Sequence, residues 1–188
     1  MNLGRLLARA TIGGLFVGHG TQKLFGWFGG PGIDGTTKMM GNLELEPPRR
    51  NAMAVSVVET LGGALLAAGA LTPVAGSMIT GSMVTAIRKV HYPKGLWNTA
   101  GGYEYNLALI AATAALVETG PGSPSVDRAL GIERKGSGWA LAALAAGAAG
   151  AALVMEAGER SQPEPESTGR FERERHAAEA TEPARAGA

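Results

Sequence analysis

Residues Leu3–Phe28, LGRLLARATIGGLFVGHGTQKLFGWF, decide the fold of this chain. The run is almost wholly apolar and long enough to cross a bilayer as a helix, for which about 20 residues span roughly 30 Å of hydrocarbon. His19, Gln22 and Lys23 nevertheless stand together near its far end. Hydrocarbon offers no hydrogen-bond partners, and an ionisable side chain at membrane depth costs roughly 2.5–3.5 kcal/mol on insertion scales. The three residues therefore belong to the interior of a bundle. They are the first place to look for function.

The rest of the chain repeats the pattern. Four further apolar segments follow, at about Ala52–Leu71, Val74–Val90, Gly102–Val117 and Gly138–Met155. Each is apolar all round rather than striped, which is the pattern of a membrane bundle and not of a soluble one with charged outer faces. Thr72-Pro73 closes the second segment and opens the third. Proline costs no hydrogen bond at the start of a helix, and so short a turn makes an antiparallel hairpin. Gly29–Asn51 is too long for a tight turn. Met39, Met40 and Leu43 recur in it at helical spacing, which predicts a short helix on the membrane surface. In Gly120–Gly131, Ser123 is expected to cap a turn opened by Pro124, and Gly131 to end it.

Composition agrees. Aromatics are 5% and charged residues 18% of the 188 residues, against about a quarter charged in an ordinary soluble domain. Charge concentrates at the end: Glu156 to Ala188 holds eight of the sixteen acids. That stretch lacks the apolar area to offset ordering and is expected to be a disordered tail. Net charge near zero, with no basic stripe, argues against nucleic acid as a partner. The absence of cysteine excludes disulfides, thiolate catalysis and thiolate metal sites. The first apolar run resembles a signal peptide but continues through Trp27 without a small-residue cleavage site, and it is read as retained.

Alternating helix directions bring the end of segment one, the start of two, the end of three and the start of four to one side. His19, Gln22, Lys23, Glu59, Arg88, His91 and Glu104 gather there as the candidate ligand-binding set. At 1.5 Å per residue, Glu59 sits roughly 11 Å in from its helix end, and Lys23 and His19 roughly 8 and 13 Å from theirs. Glu59 is the carboxylate deepest in an apolar span. It serves either as a structural partner of Lys23, His19 or Arg88, or as a ligand or proton site. Arg88, close to its helix end, is expected to snorkel to the interface. Haem or metal ligation fits poorly, because His19 lies below the interface, His91 lies at it, and no two ligands share ligand spacing on one helix. No metal is expected. Trp27, Tyr92 and Trp97 suit an interfacial aromatic belt. Small-residue pairs at four-residue spacing, Gly14-Gly18, Gly26-Gly30, Ala143-Gly147 and Gly147-Ala151, are candidate helix contacts, though glycine and alanine are abundant enough here to produce such pairs by chance.

The ordered set GHGTQKLFGWFGG at Gly18–Gly30, Glu59 before Gly62-Gly63, the Leu71-Thr72-Pro73 turn, Gly101-Gly102-Tyr103-Glu104-Tyr105 and Gly120-Pro121-Gly122 resembles the DoxX family of small bacterial membrane proteins. The resemblance covers about Leu3 to Gly131. It implies a four-helix membrane core in the bacterial inner (cytoplasmic) membrane, with some relatives named as subunits of quinone-linked oxidoreductases, and it carries over no catalytic set. The resulting expectation is an all-α, multi-pass integral membrane helical bundle. Residues 1–131 form a four-helix core with interfacial segments at 29–51 and 120–131, residues 132–155 add a fifth apolar helix, and residues 156–188 form the charged tail. The expected role is a quinone-interacting or accessory subunit of a membrane redox assembly, not catalytic alone. No motif binds a cofactor, and a quinone is the ligand the resemblance allows. Its partners would be the lipid bilayer, redox proteins and further copies of itself. The alternatives are a small-solute or proton-coupled carrier, and a structural anchor whose tail recruits partners.

Overall fold

A computed structural model describes residues 2–161. The described residues are all-α: α1 (Leu3–Phe25), α2 (Gly32–Asn42), α3 (Pro48–Ala68), α4 (Thr72–Ala86), α5 (Glu104–Thr119), α6 (Val126–Ala129) and α7 (Ser137–Arg160). The helix α7 continues past Met155 into the charged stretch, and the remainder of the expected tail, residues 162–188, lies outside the described residues.

The chain ends its helices where backbone conformation changes hand. Gly26 stops α1 at φ 75° and Gly69 stops α3 at φ 63°, both left-handed conformations that glycine adopts without a Cβ penalty. Pro73 sits in the first turn of α4, as the Thr72-Pro73 signal required. The short α6 begins later than expected. Its cap is Ser125, which accepts from the Arg128 amide at 3.4 Å, so Pro124 precedes the helix rather than opening it and Ser123 caps nothing.

α1, α3, α4 and α5 form the core bundle, with α7 against α4 and α5, and α2 lying over α1 and α3. Ile12 and Phe16 of α1, Leu66 of α3, Ala75, Ile79 and Met83 of α4 and Leu116 of α5 make the central apolar cluster. Facing residues fix the directions. Gly13 meets Gly63 and Gly20 meets Ser56 and Thr60, so α1 and α3 are antiparallel. Gly76 meets Ala143 and Gly81 meets Gly147, so α4 and α7 run parallel. The ends of α1, α4 and α7 therefore share one end of the bundle with the starts of α3 and α5.

Small residues create the closest contacts, because helix backbones approach only where side chains are absent. A Cβ on Gly13 would lie 2.5 Å from the Gly63 carbonyl oxygen, and one on Gly63 would lie 2.5 Å from that of Gly13. Of the expected pairs, Ala143, Gly147 and Ala151 are buried, with Gly147 seated on Ser77, Thr80 and Gly81 of α4. Gly14 and Gly18 face open space among the described residues, Gly26 is a helix cap, and Gly30 backs onto Gln22 of its own hairpin. Hydroxyls inside the bundle return to their own helices: Ser56 donates to the Ala52 carbonyl at 2.7 Å and Thr60 to that of Ser56 at 2.8 Å.

Two helices, Pro48–Ala68 and Ser137–Gly158, are each long and apolar enough to cross a membrane. The other three expected spans fall short for visible reasons. α1 carries Arg5, Arg9, His19 and Lys23, while α4 and α5 have only 15 and 16 residues, about 22 and 24 Å of helix.

Candidate functional site

The site begins with the face that α3 turns toward its two antiparallel neighbours. Glu59, 5% exposed, projects between α1 and α4. Lys23 Nζ approaches its Oε2 at 2.5 Å, and Ser82 of α4 donates to Oε1 at 2.8 Å. One carboxylate thus joins three helices with both oxygens engaged. A buried charge persists only when paired and hydrogen-bonded, and here both conditions are met. The depth match between residues 23 and 59 was readable from helix rise. Ser82 was not, because a serine in an apolar run reads as helix filler. It is nonetheless one helix turn from Met78, which packs on Gly62, and therefore faces α3.

Lys23 and Glu59 open onto a cavity of about 680 Å³. Its polar lining adds His19, His91, Lys89, Ser82 and Asn106 to the pair. Most of its remaining wall is apolar, built from Leu15 and Phe16 of α1, Met39 and Met40 of α2, Val55 and Val58 of α3, and Leu109 of α5, with Ala146, Gly150 and Val154 supplied by α7. His91 Nδ1 lies 2.7 Å from the Gly101 carbonyl oxygen. A carbonyl only accepts, so Nδ1 is the donor in this contact. Asn106, buried on α5, spends its amide hydrogen on the Met83 sulfur at 3.3 Å, a weak acceptor that a better one would displace. Asn106 was missed in the sequence because one amide at a helix start carries no signal.

Four of the seven residues expected at this site line the cavity: His19, Lys23, Glu59 and His91. The other three stand outside it. Gln22 Oε1 accepts from His19 Nδ1 at 3.2 Å, and Gln22 packs beneath Gly30. Glu104 accepts from the Asn98 amide at 2.8 Å, tying the 92–103 loop to the start of α5. Arg88 is exposed and outside the cavity, whereas α-helical spacing would have placed it on one face with His91, three residues on. Residues Ile87–His91 form a π-helical turn, whose wider winding shifts the register so that Lys89, Val90 and His91 reach the cavity and Arg88 does not. Among the described residues, no three His, Cys, Asp or Glu side chains cluster as metal ligands.

The opposite end of the bundle is locked by charges rather than opened by them. Asp127 is 2% exposed and accepts from the Leu71 amide at 2.7 Å, the Thr72 amide at 3.0 Å and the Thr72 hydroxyl at 2.8 Å. It supplies in trans the cap that α4 lacks in its own sequence. Arg5 donates to the Thr119 carbonyl at 2.5 Å, at the negative end of α5, and Arg9 donates to the Pro124 carbonyl.

The described residues form an all-α bundle with two helices long and apolar enough to cross a membrane and a buried ion pair beside a largely apolar cavity, the architecture of a helical membrane protein. Residues 4–92 match the family model described as DoxX, a family of membrane proteins. No curated protein and no solved structure matches the chain. The matched segment ends at Tyr92, so α1 to α4, with Lys23, Glu59 and Ser82, lie inside it, while α5 and α7 lie beyond it.

Proposed function

We propose that this protein is a multi-pass inner-membrane subunit that binds a quinone-class molecule in the cavity beside Lys23 and Glu59, as an accessory component of a membrane redox assembly. The observation that carries the reading is the combination of a 680 Å³ largely apolar cavity with a few hydrogen-bond donors in its wall. Ligand sites of a few hundred to a thousand Å³, mostly apolar with a few convergent polar groups, are the form that small lipophilic molecules take up. A quinone needs a flat apolar slot and donors at its carbonyl oxygens. Lys23 and Asn106 are donors, and Lys23 and Lys89 against the single acid Glu59 give the cavity wall a cationic excess suited to electron-rich oxygens. Electron transfer itself belongs to a partner, because the chain has no cysteine and no motif for a redox centre.

A carrier in which Glu59 titrates freely receives less support, since both carboxylate oxygens are already engaged. The test is the quinone content of the full chain purified in mild detergent, extracted into organic solvent and identified by mass. Near-stoichiometric quinone in the wild type, falling at least fivefold in Lys23→Met, supports the reading. Wild-type protein that neither retains quinone nor binds added decylubiquinone overturns it.

A further inference from the structure

The cavity is much larger than the group its polar side chains can hold. A single aromatic ring fills a space of about 150 Å³, whereas the cavity measures about 680 Å³. The cavity includes a groove between α3 and α7, walled by Ala54 and Val58 on one side and Ala146, Gly150 and Val154 on the other, with Ser77, Gly81, Thr85 and Lys89 also in its lining. Ser77 in its floor donates to the Pro73 carbonyl at 3.0 Å, so its hydroxyl is already satisfied. Ala54, Ala146, Gly150 and Val154 are themselves exposed, so the groove opens on the flank of the bundle, between two helices each apolar enough to cross a membrane.

Gly147 lets α7 sit against Gly81 of α4, and one turn further on Gly150 leaves a gap in which a Cβ would meet nothing within 4 Å among the described residues. A cavity with mostly apolar walls, a few polar side chains and an exposed flank between two helices of membrane-crossing length matches a molecule with a compact polar head and a long hydrocarbon tail.

We infer that the groove between α3 and α7 is the binding site for the hydrocarbon tail of the ligand whose head lies at Lys23 and Glu59, which rests on the quinone-class reading above and makes α7 part of the site. The ligand is then a long-tailed molecule that enters sideways from the bilayer, and tail length sets its affinity.

The experiment uses the full chain in phosphatidylcholine nanodiscs, with protein-free discs as the partition blank. Three probes are compared: decylubiquinone, the tailless ubiquinone-0 and dodecanoate. Wild type should bind decylubiquinone at least tenfold more tightly than ubiquinone-0. Gly150→Leu, or Ala54→Leu on the facing wall should the first variant fold poorly, should erase that difference while leaving ubiquinone-0 binding unchanged. Gly14→Leu, which adds the same bulk at an open position away from the cavity, should preserve it. Quinone binding without a tail preference, or with a preference that survives both groove substitutions, overturns the groove and leaves the quinone reading standing. Dodecanoate binding that is lost in Gly150→Leu, with no binding of either quinone, overturns the quinone reading and retains the groove for an acyl tail. Binding of none of the three overturns both.

Discussion

Lys23 of α1 and Glu59 of α3 face each other at 2.5 Å across an interface that glycines of α1 bring into close contact about one and three turns before Lys23. Gly20 seats against Ser56 and Thr60, and Gly13 against Gly63, so the ion pair sits at the end of a tightly packed seam.

The seam makes a direct prediction about bulk. Gly13→Ala should destabilise the protein by about 2 kcal/mol or more, in the range of overpacking a close contact, because the new methyl meets the Gly63 carbonyl and the backbone of Ala67. Gly14→Ala, one residue away with open space around it, should change stability by no more than about 0.5 kcal/mol. Thermal unfolding of the two variants in the same detergent checks the contrast. Equal losses would place the seam on another face of α1.

Asp127 supports the far end of the bundle through three hydrogen bonds to Leu71 and Thr72. Asp127→Ala leaves buried donors at the start of α4 without an acceptor, each costing about 1–3 kcal/mol. The variant should lose at least about 2 kcal/mol of stability while quinone binding at the other end, measured in the protein that remains folded, stays at its wild-type affinity. Thr72→Ala, which keeps both amides capped, should lose less. The check is thermal unfolding alongside decylubiquinone binding.

Arg88 is exposed and stands outside the cavity. Arg88→Lys should leave folded yield and thermal stability unchanged, since either long side chain keeps its charge at the interface. A collapse in yield would reveal a bidentate partner that lysine cannot satisfy.

Much of this arrangement was legible in the sequence because it depends on lengths and end signals. Thr72-Pro73 marked the α3–α4 hairpin, and counting rise per residue brought Lys23 to the depth of Glu59. The rest depends on rotation about helix axes and on partners distant in the chain. Gly13 rather than Gly14 faces α3, and nothing local distinguishes the two. The π-turn at Ile87–His91 changes register by a fraction of a turn and removes Arg88 from the face it would share with His91. Asp127 caps a helix that begins 55 residues earlier, and Ser82 finds Glu59 only once α3 and α4 are packed. These pairings exist in the tertiary fold and leave no trace in spacing.

A bundle that crosses the bilayer with helices alternating in direction fixes which loops share a side. Single cysteines at Lys38, Lys94 and Arg160 should react with a membrane-impermeant thiol reagent from one face of sealed vesicles, and those at Arg128 and Lys135 from the other. All five positions are exposed, and the chain's lack of native cysteine removes background labelling. Labelling of Arg160 together with Lys135 would show that α7 does not cross.

The most direct test of the account separates holding the bundle together from holding a ligand. Glu59→Gln and Lys23→Met should each lower stability, because breaking a buried pair strands one partner at a cost of up to about 3–5 kcal/mol. The double variant, neutral on both sides, should recover most of that loss. The deciding measurement is the decylubiquinone affinity of this refolded, restabilised double variant beside the wild type. The account predicts at least a tenfold weakening in a protein of near wild-type stability, and wild-type affinity in that protein would contradict it.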